Sequence, residues 1–240
     1  MSFRLKSTQS LAHNVQRIVR EQVDRAIEEV DDDSLGVHET IHQVRKRCKK
    51  IRGVIRLVRP QMEGTYQKEN ARFRDAARPL SFVRDRQAMV ETYDALLDRF
   101  GAEVSPVRLA PIRRELVQRC SNVDEGQLQD RLAEFRRQMQ EARAAVDTWP
   151  IGQEGFEGIA AGLAKTWGRG RRAMRRAYGK RPTSAQFHTW RKRVKYHRYQ
   201  CRMLRDIHPR LMKSWHKDFK ELSDYLGDDH DLVVLRSTLT

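Results

Sequence analysis

Two stretches of this chain, 146 residues apart, repeat one another position by position. Residues 42–59 read HQVRKRCKKIRGVIRLVR and residues 188–205 read HTWRKRVKYHRYQCRMLR. His42 falls on His188, and Arg45, Lys46, Arg47, Lys49, Arg52, Arg56 and Arg59 fall on Arg191, Lys192, Arg193, Lys195, Arg198, Arg202 and Arg205. At about 100° per residue of α-helix, His42, Arg45, Lys49, Arg52, Arg56 and Arg59 share an arc of roughly 100°, with Lys46 on its border. Ile41, Val44, Cys48, Ile51, Ile55 and Val58 occupy the adjoining arc, as in a helix with one buried side. Arg47 and Lys50 fall outside the stripe and read as solvated charges. Like charges three and four apart repel by a few tenths of a kcal/mol per pair, so something outside each helix has to offset the row.

The offset persists beyond the basic stretch. Phe73 maps to Phe219, Leu80 to Leu226 and Asp85 to Asp231, a register held over nearly fifty residues without a gap. That argues for a duplicated helical unit. No segment alternates apolar and polar residues as a strand would, so an all-α fold is expected. Its two four-helix-type bundles are related by an internal pseudo-twofold duplication and cover residues 1–148 and 153–240. The segment from Thr148 to Gly155, with Pro150 and two glycines, is the linker. The second bundle ends soon after Asp231, so its C-terminus is expected to be incomplete.

Helices are expected over residues 8–30, over the first basic stretch up to Pro60, over 66–77 and 80–99 around Pro79, and over 111–120 and 125–147. The second half should be helical over 156–178, from Thr183 to about Arg205, and over 211–226. Gly101 to Pro111 reads as a loop. Ser34 or Asp33 is placed to cap the first basic helix, and Thr183 with Gln186 has capping-box spacing before the second.

Charge narrows the partner. The formal net charge is +16 over 240 residues, and it is segregated: 15 Lys or Arg and no acid lie between Glu157 and Asp206. Such a distribution calls for a polyanion: nucleic acid, an anionic membrane surface or a phosphate polymer. No run of 18 or more apolar residues is present, so no membrane association is expected, and MSFRLKSTQS lacks the apolar core of a secretory signal. A cytoplasmic protein follows. Cys48, Cys120 and Cys201, in no metal-like or redox-like spacing, read as reduced packed thiols.

The two His-x-x-Arg-Lys-x-x-Lys-x-x-Arg runs, His42 to Arg52 and His188 to Arg198, resemble those of the CHAD family, the conserved histidine α-helical domain. Leu80 with Arg84-Asp85, Leu226-Gly227 with Asp231, and the basic WGRGRRAMRRA segment add to the likeness, which spans nearly the whole chain. The resemblance implies two helical bundles about a pseudo-twofold axis, with a basic surface or pore at the signature helices. It further implies binding of inorganic polyphosphate and, in bacteria, association with polyphosphate granules. One departure stands out, His230 in place of Arg84 in the second copy, and the second bundle is expected to lack the closing helices of the first.

Polyphosphate carries about one charge per phosphate and no base to read, so it suits a row of donors rather than a pocket. Arg forks onto two oxygens and Lys acts as a point charge, a mixture that grips a mobile chain without strict register. The expected polyphosphate ligands are His42, Arg45, Lys46, Lys49, Arg52 and Arg56 with His188, Arg191, Lys192, Lys195, Arg198 and Arg202. Arg169, Arg172 and Arg176 come second. A close polyanion favours the charged form of both histidines. Asp85 and Asp231 read first as capping or packing residues and second as partners that orient a cation. Trp167, Trp190, Tyr196 and Tyr199 read as core or shielding residues.

The alternative partner is nucleic acid, which shares the electrostatics, but no zinc-finger spacing, RNP-like aromatic run or short recognition helix is present. A third reading is a metal-dependent hydrolase, because His38-Glu39-Thr40-Ile41-His42 matches H-E-x-x-H. The second copy keeps only His188 of that motif, and the following cations would repel Zn²⁺. With no P-loop and no nucleophile elbow, the sequence reads as a binder rather than an enzyme, with no cofactor and no metal.

Overall fold

The computed structural model describes residues 3–103 and 106–239, and these residues form nine α-helices and no strand. They are α1 (Leu11–Asp31), α2 (Val37–Leu57), α3 (Tyr66–Ala77), α4 (Ser81–Phe100), α5 (Pro106–Ser121), α6 (Glu125–Ala145), α7 (Glu157–Ala177), α8 (Ser184–Met203) and α9 (Pro209–Leu239). A single 3₁₀ turn, Val146–Thr148, follows α6.

The helix bounds keep the sequence offset. α7 starts and ends 146 residues after α1, and α8 ends 146 residues after α2. α9 covers the ground that α3 and α4 cover in the first half. Pro79 cannot donate a helical hydrogen bond and breaks the first segment in two. Its counterpart Tyr225 can, and α9 runs unbroken for 31 residues instead of the expected 16 or so. Among the described residues, no helix stands 146 positions after α5 or α6.

Local signals account for several ends. The Thr183 side chain accepts from Gln186 N while the Gln186 side chain accepts from Thr183 N, closing the predicted capping box of α8. Ser10 and Asp124 cap α1 and α6 from one side only, accepting from His13 N and Gln127 N. The expected cap of α2 is wrong: Gly36 stands at its N-cap, and Ser34 instead donates its hydroxyl to Asp32. The expected loop is also shorter. Helix α5 already begins at Pro106, because the proline's missing N–H is one of the donors a first turn leaves unpaired anyway. Pro111 lies inside it. Val104 and Ser105 of that loop lie outside the described residues.

Three apolar clusters hold the helices. The largest joins α1, α2, α3 and α6, with Val15, Ile18, Val19 and Val23 packed against Ile41, Val44, Ile51 and Ile55, all fully buried. A second joins α4 and α5 to Leu235 near the end of α9, and a third joins α7, α8 and α9 around Trp190, Val194 and Leu226. Helix α2 therefore has one face sealed and the adjoining face free. Its approach to α8 is set by Gly53, where a Cβ would stand 3.3 Å from Tyr199 Cβ. Gly53 and Tyr199 are themselves 146 apart. Cys48 and Cys201 are buried and Cys120 half-buried, all as free thiols. Burial pushes the Cys48 thiol up to about 12 and the Cys201 thiol up to about 11.

Candidate anion-binding site

The free faces of α2 and α8 turn toward each other, and α4 and α9 close the remaining sides of a cavity of about 360 Å³. Five residue pairs separated by 146 line it: His42 and His188, Arg45 and Arg191, Lys49 and Lys195, Arg84 and His230, Asp85 and Asp231. Arg52 and Lys192 complete the cationic wall. A second cavity of about 470 Å³ adjoins it, sharing His42, Lys49, Arg191, Lys195, Tyr199 and Asp231. It adds Lys46, Arg198 and Arg202 from the predicted set, together with Lys50, His216, Asp224 and Asp228. Eleven of the twelve side chains expected on the two signature helices thus border one continuous space.

Arg56 is the exception. Its guanidinium lies 4.0 Å from the centre of the Tyr196 ring and donates to Arg52 O at 2.8 Å, so it stands behind Tyr196 rather than in the cavity. Arg169, Arg172 and Arg176 lie elsewhere again, in a separate cleft between α7 and α8. The readings of Arg47 and Lys50 as solvated charges need correcting. Arg47 reaches α1 and donates to both Glu29 oxygens, and only 12% of its side chain is exposed. Lys50 is 8% exposed, lies 5.6 Å from the Phe3 ring centre and looks into the second cavity. Neither position was visible from the wheel of α2 alone, since both depend on the neighbour that covers it. Of the aromatics, Trp190 and Tyr196 are buried as expected, whereas Trp167 is exposed and stacks on Trp215.

The cations are only partly neutralised: Arg84 donates to Glu91 Oε2 at 2.8 Å, and the rest outnumber the carboxylates beside them. Seven lysines and arginines share the first cavity with two aspartates. Asp85 and Asp231 sit inside their helices and cap neither; Asp231 Oδ1 is 3.7 Å from Arg191 Nη1. A Cβ on Gly227 would come within 2.8 Å of Arg191 Nη2, so this glycine gives the guanidinium room beside α9. On the other side Arg45 donates to Ala77 O at 3.0 Å and Arg52 to Asn70 Oδ1 at 3.2 Å, which pins both side chains. The Nε groups of Arg45, Arg191 and Arg198 and the Nδ1 of His188 are buried without a protein hydrogen-bond partner.

Crowding shows in the protonation equilibria. Loss of water first, then Arg191 and Lys49, brings Lys195 down to about 7. Loss of water, then Arg45 and Arg191, brings Lys49 down to about 8 although its side chain still touches the cavity solvent. Burial and then His230, whose ring centre is 4.0 Å away, hold His188 at about 4. His42 is lowered by burial and then by Arg84, and His230 by burial and then by Arg191. All three imidazoles are thus shifted toward the neutral form, and an anion beside them would favour the charged one. Arg84 and His230 escaped the sequence reading as ligands, although the offset pairs them and places both next to an aspartate of the signature.

The H-E-x-x-H segment borders a different cleft, which also holds Arg84. Glu39 accepts there from Gln43 Nε2 at 2.5 Å. Among the described residues no group of three or more His, Cys, Asp or Glu side chains is arranged to hold a metal ion, and no helix is long and apolar enough to cross a membrane.

Comparison with protein families adds one match, to the model described as the CHAD domain, over residues 17–240. No curated protein and no solved structure matches the chain.

Proposed function

This chain belongs to the CHAD domain family, and from that premise we propose that it binds inorganic polyphosphate along the space between α2 and α8. The observation that carries the reading is the five offset pairs lining one cavity with a large excess of positive charge. From His42 to Arg52 the wall is about 15 Å long at 1.5 Å per residue, which suits an extended polymer better than a single phosphate group. Side chains fixed by Ala77, Asn70 and Asp231 present their donors in advance, so little ordering remains to oppose binding. A chain without bases fits between packed helices, where nucleotides would need space for their rings. The reading is of a binder without turnover, and a protein that holds the polymer in this way would associate with polyphosphate granules.

The test is titration with polyphosphates of graded length on the native protein and on a variant with Arg45, Lys49, Arg191 and Lys195 changed to Ala. Affinity should rise with length and collapse in the variant; unchanged binding by the variant would refute the site. Release of phosphate from long chains by the pure protein would refute binding without turnover. Displacement of polyphosphate by duplex DNA or RNA at equal phosphate concentration would hand the site to nucleic acid.

A further inference from the structure

The cavity between α2 and α8 is not the end of the cationic surface. Tyr196 forms part of its wall and, on the other side, part of a narrow cleft lined by Arg56, Arg59, Lys165, Arg169 and Arg193. Arg169 and Arg193 in turn border a third space of about 340 Å³ together with Arg172 and Arg176. Among the described residues no carboxylate lines either cleft. Arg193 is the joint: burial and then Arg169 hold its guanidinium below the ordinary arginine range, and Arg52 of the main cavity adds to the effect. It stands within electrostatic reach of both.

Local structure explains how α7 comes to extend the wall. Its buried side is made of Gly158, Gly162, Gly170, Ala173 and Ala177. A Cβ on Gly162 would overlap the Leu57 carbonyl, and one on Gly170 would press on the His197 ring at 3.1 Å. Such close approach to α2 and α8 leaves Lys165, Arg169, Arg172 and Arg176 on the flank that adjoins the buried side. Their spacing of four, three and four residues aligns them over about 16 Å of helix. Arg172 and Arg176 are exposed, and a row of like charges with no acid beside it is stable only at a cost that a bound polyanion would offset.

We propose that the α7–α8 cleft is a second, contiguous anion track, which takes up the part of a long polyphosphate chain that emerges past Tyr196 and Arg193. The proposal rests on polyphosphate binding between α2 and α8. It adds that the full site is longer than that cavity and that chain-length preference is set outside it. Short chains engage only the inner space, and long chains engage both.

The experiment compares tripolyphosphate with long-chain polyphosphate on the native protein, on Arg172→Gln/Arg176→Gln and on the four-residue cavity variant. Both changed arginines are exposed, and thermal melting checks that the double variant is folded. Expected for the double variant are unchanged tripolyphosphate affinity and a loss on the order of tenfold for the long chain. The slope of log Kd against log salt should fall by about 1.4–1.8, the share of two phosphate contacts. Arg172→Lys/Arg176→Lys should keep most of the long-chain affinity. If the double variant binds both ligands like the native protein while the cavity variant loses both, the second track is refuted and the inner site stands. If neither variant changes binding, both readings fall. Loss of tripolyphosphate affinity in the double variant would also refute a track reserved for long chains.

Discussion

Raising the pH from 7 to 9 should weaken polyphosphate binding while it strengthens the ligand-free fold. Lys50, at about 7, borders the second cavity alone; the perturbed lysines of the first cavity are Lys195, also at about 7, and Lys49, at about 8. They face Arg45, Arg191 and Arg198, the imidazoles of His42, His188 and His230, and the carboxylates of Asp85 and Asp231. In the unfolded chain both lysines return to about 10.4. Between the folded and unfolded values the unfolded state binds more protons, so stability without ligand rises with pH across this window. A polyanion reverses the balance by restoring the charged form, and protons are then taken up on binding. At pH 8 Lys195 is about nine-tenths neutral and Lys49 about half, which gives an uptake of about 1.4 protons if both recharge fully. Integrated from pH 7 to 9, full recharging would raise Kd by about 500-fold, and solvent relaxation in the cavity brings the expected change down to about tenfold or somewhat more. Internal phosphates of a long chain do not titrate in this range, so the change belongs to the protein. Isothermal titration at pH 8 in buffers of different ionisation enthalpy reads the uptake directly. Lys49→Arg/Lys195→Arg, which keeps the charges but cannot lose them, should flatten the profile. A Kd constant within twofold from pH 7 to 9, with no proton uptake, would refute the reasoning.

Three further outcomes follow from the same geometry. Lys195→Met should raise stability at pH 6 by about 1–2 kcal/mol, or about 2–8 °C in Tm, because a crowded ammonium is replaced by an unbranched apolar chain, while polyphosphate affinity falls; a lower Tm would show that the lysine is not under electrostatic stress. Gly162→Val should lower Tm by several degrees through the clash with the Leu57 carbonyl, at a cost of about 1–3 kcal/mol, seen by calorimetry. Gly227→Val should lower Tm by a few degrees and weaken binding several-fold, because the end of Arg191 has to give way and its hold on Asp231 is lost; equal affinity would show that Arg191 acts without that placement.

What the sequence disclosed and what it hid divide along a physical line. The stripe of His42, Arg45, Lys49 and Arg52 and its partner on α8 were legible because a helix face follows from spacing alone. So were the capping box at Thr183 and the break at Pro79, which depend on neighbours within a turn. The length of α9 was hidden because Gly227 resembles a stop signal until Arg191 is seen to fill the room its side chain would take. The fates of Arg47 and Lys50 were hidden for a similar reason: Glu29 comes from α1 and Phe3 from the segment before it, and no period in α2 encodes either contact. Arg56 kept its place in the stripe yet left the cavity, since Tyr196 of α8 offered its ring instead, a contact that no spacing within α2 encodes.

The arrangement carries a cost that the rest of the fold has to cover. A cavity with seven lysines and arginines and two aspartates destabilises any chain that encloses it, and the depressed lysines measure that stress. Beside the stripe, α2 presses Ile41, Val44, Ile51 and Ile55 into the largest apolar cluster, all fully buried. Burial of each such side chain is worth about 1.5–3 kcal/mol, far more than the few tenths lost per like-charged helical pair. Helix α8 has less behind it, with Trp190 and Val194 in a smaller cluster, and it is there that the aspartate lies closest to an arginine and the most depressed stripe lysine occurs. The two halves of the site therefore hold their charges by different means, a deep core behind α2 and partial neutralisation by α9 in front of α8. Loss of Asp231 should accordingly matter more to folding than loss of Asp85, even though the two aspartates line the same wall.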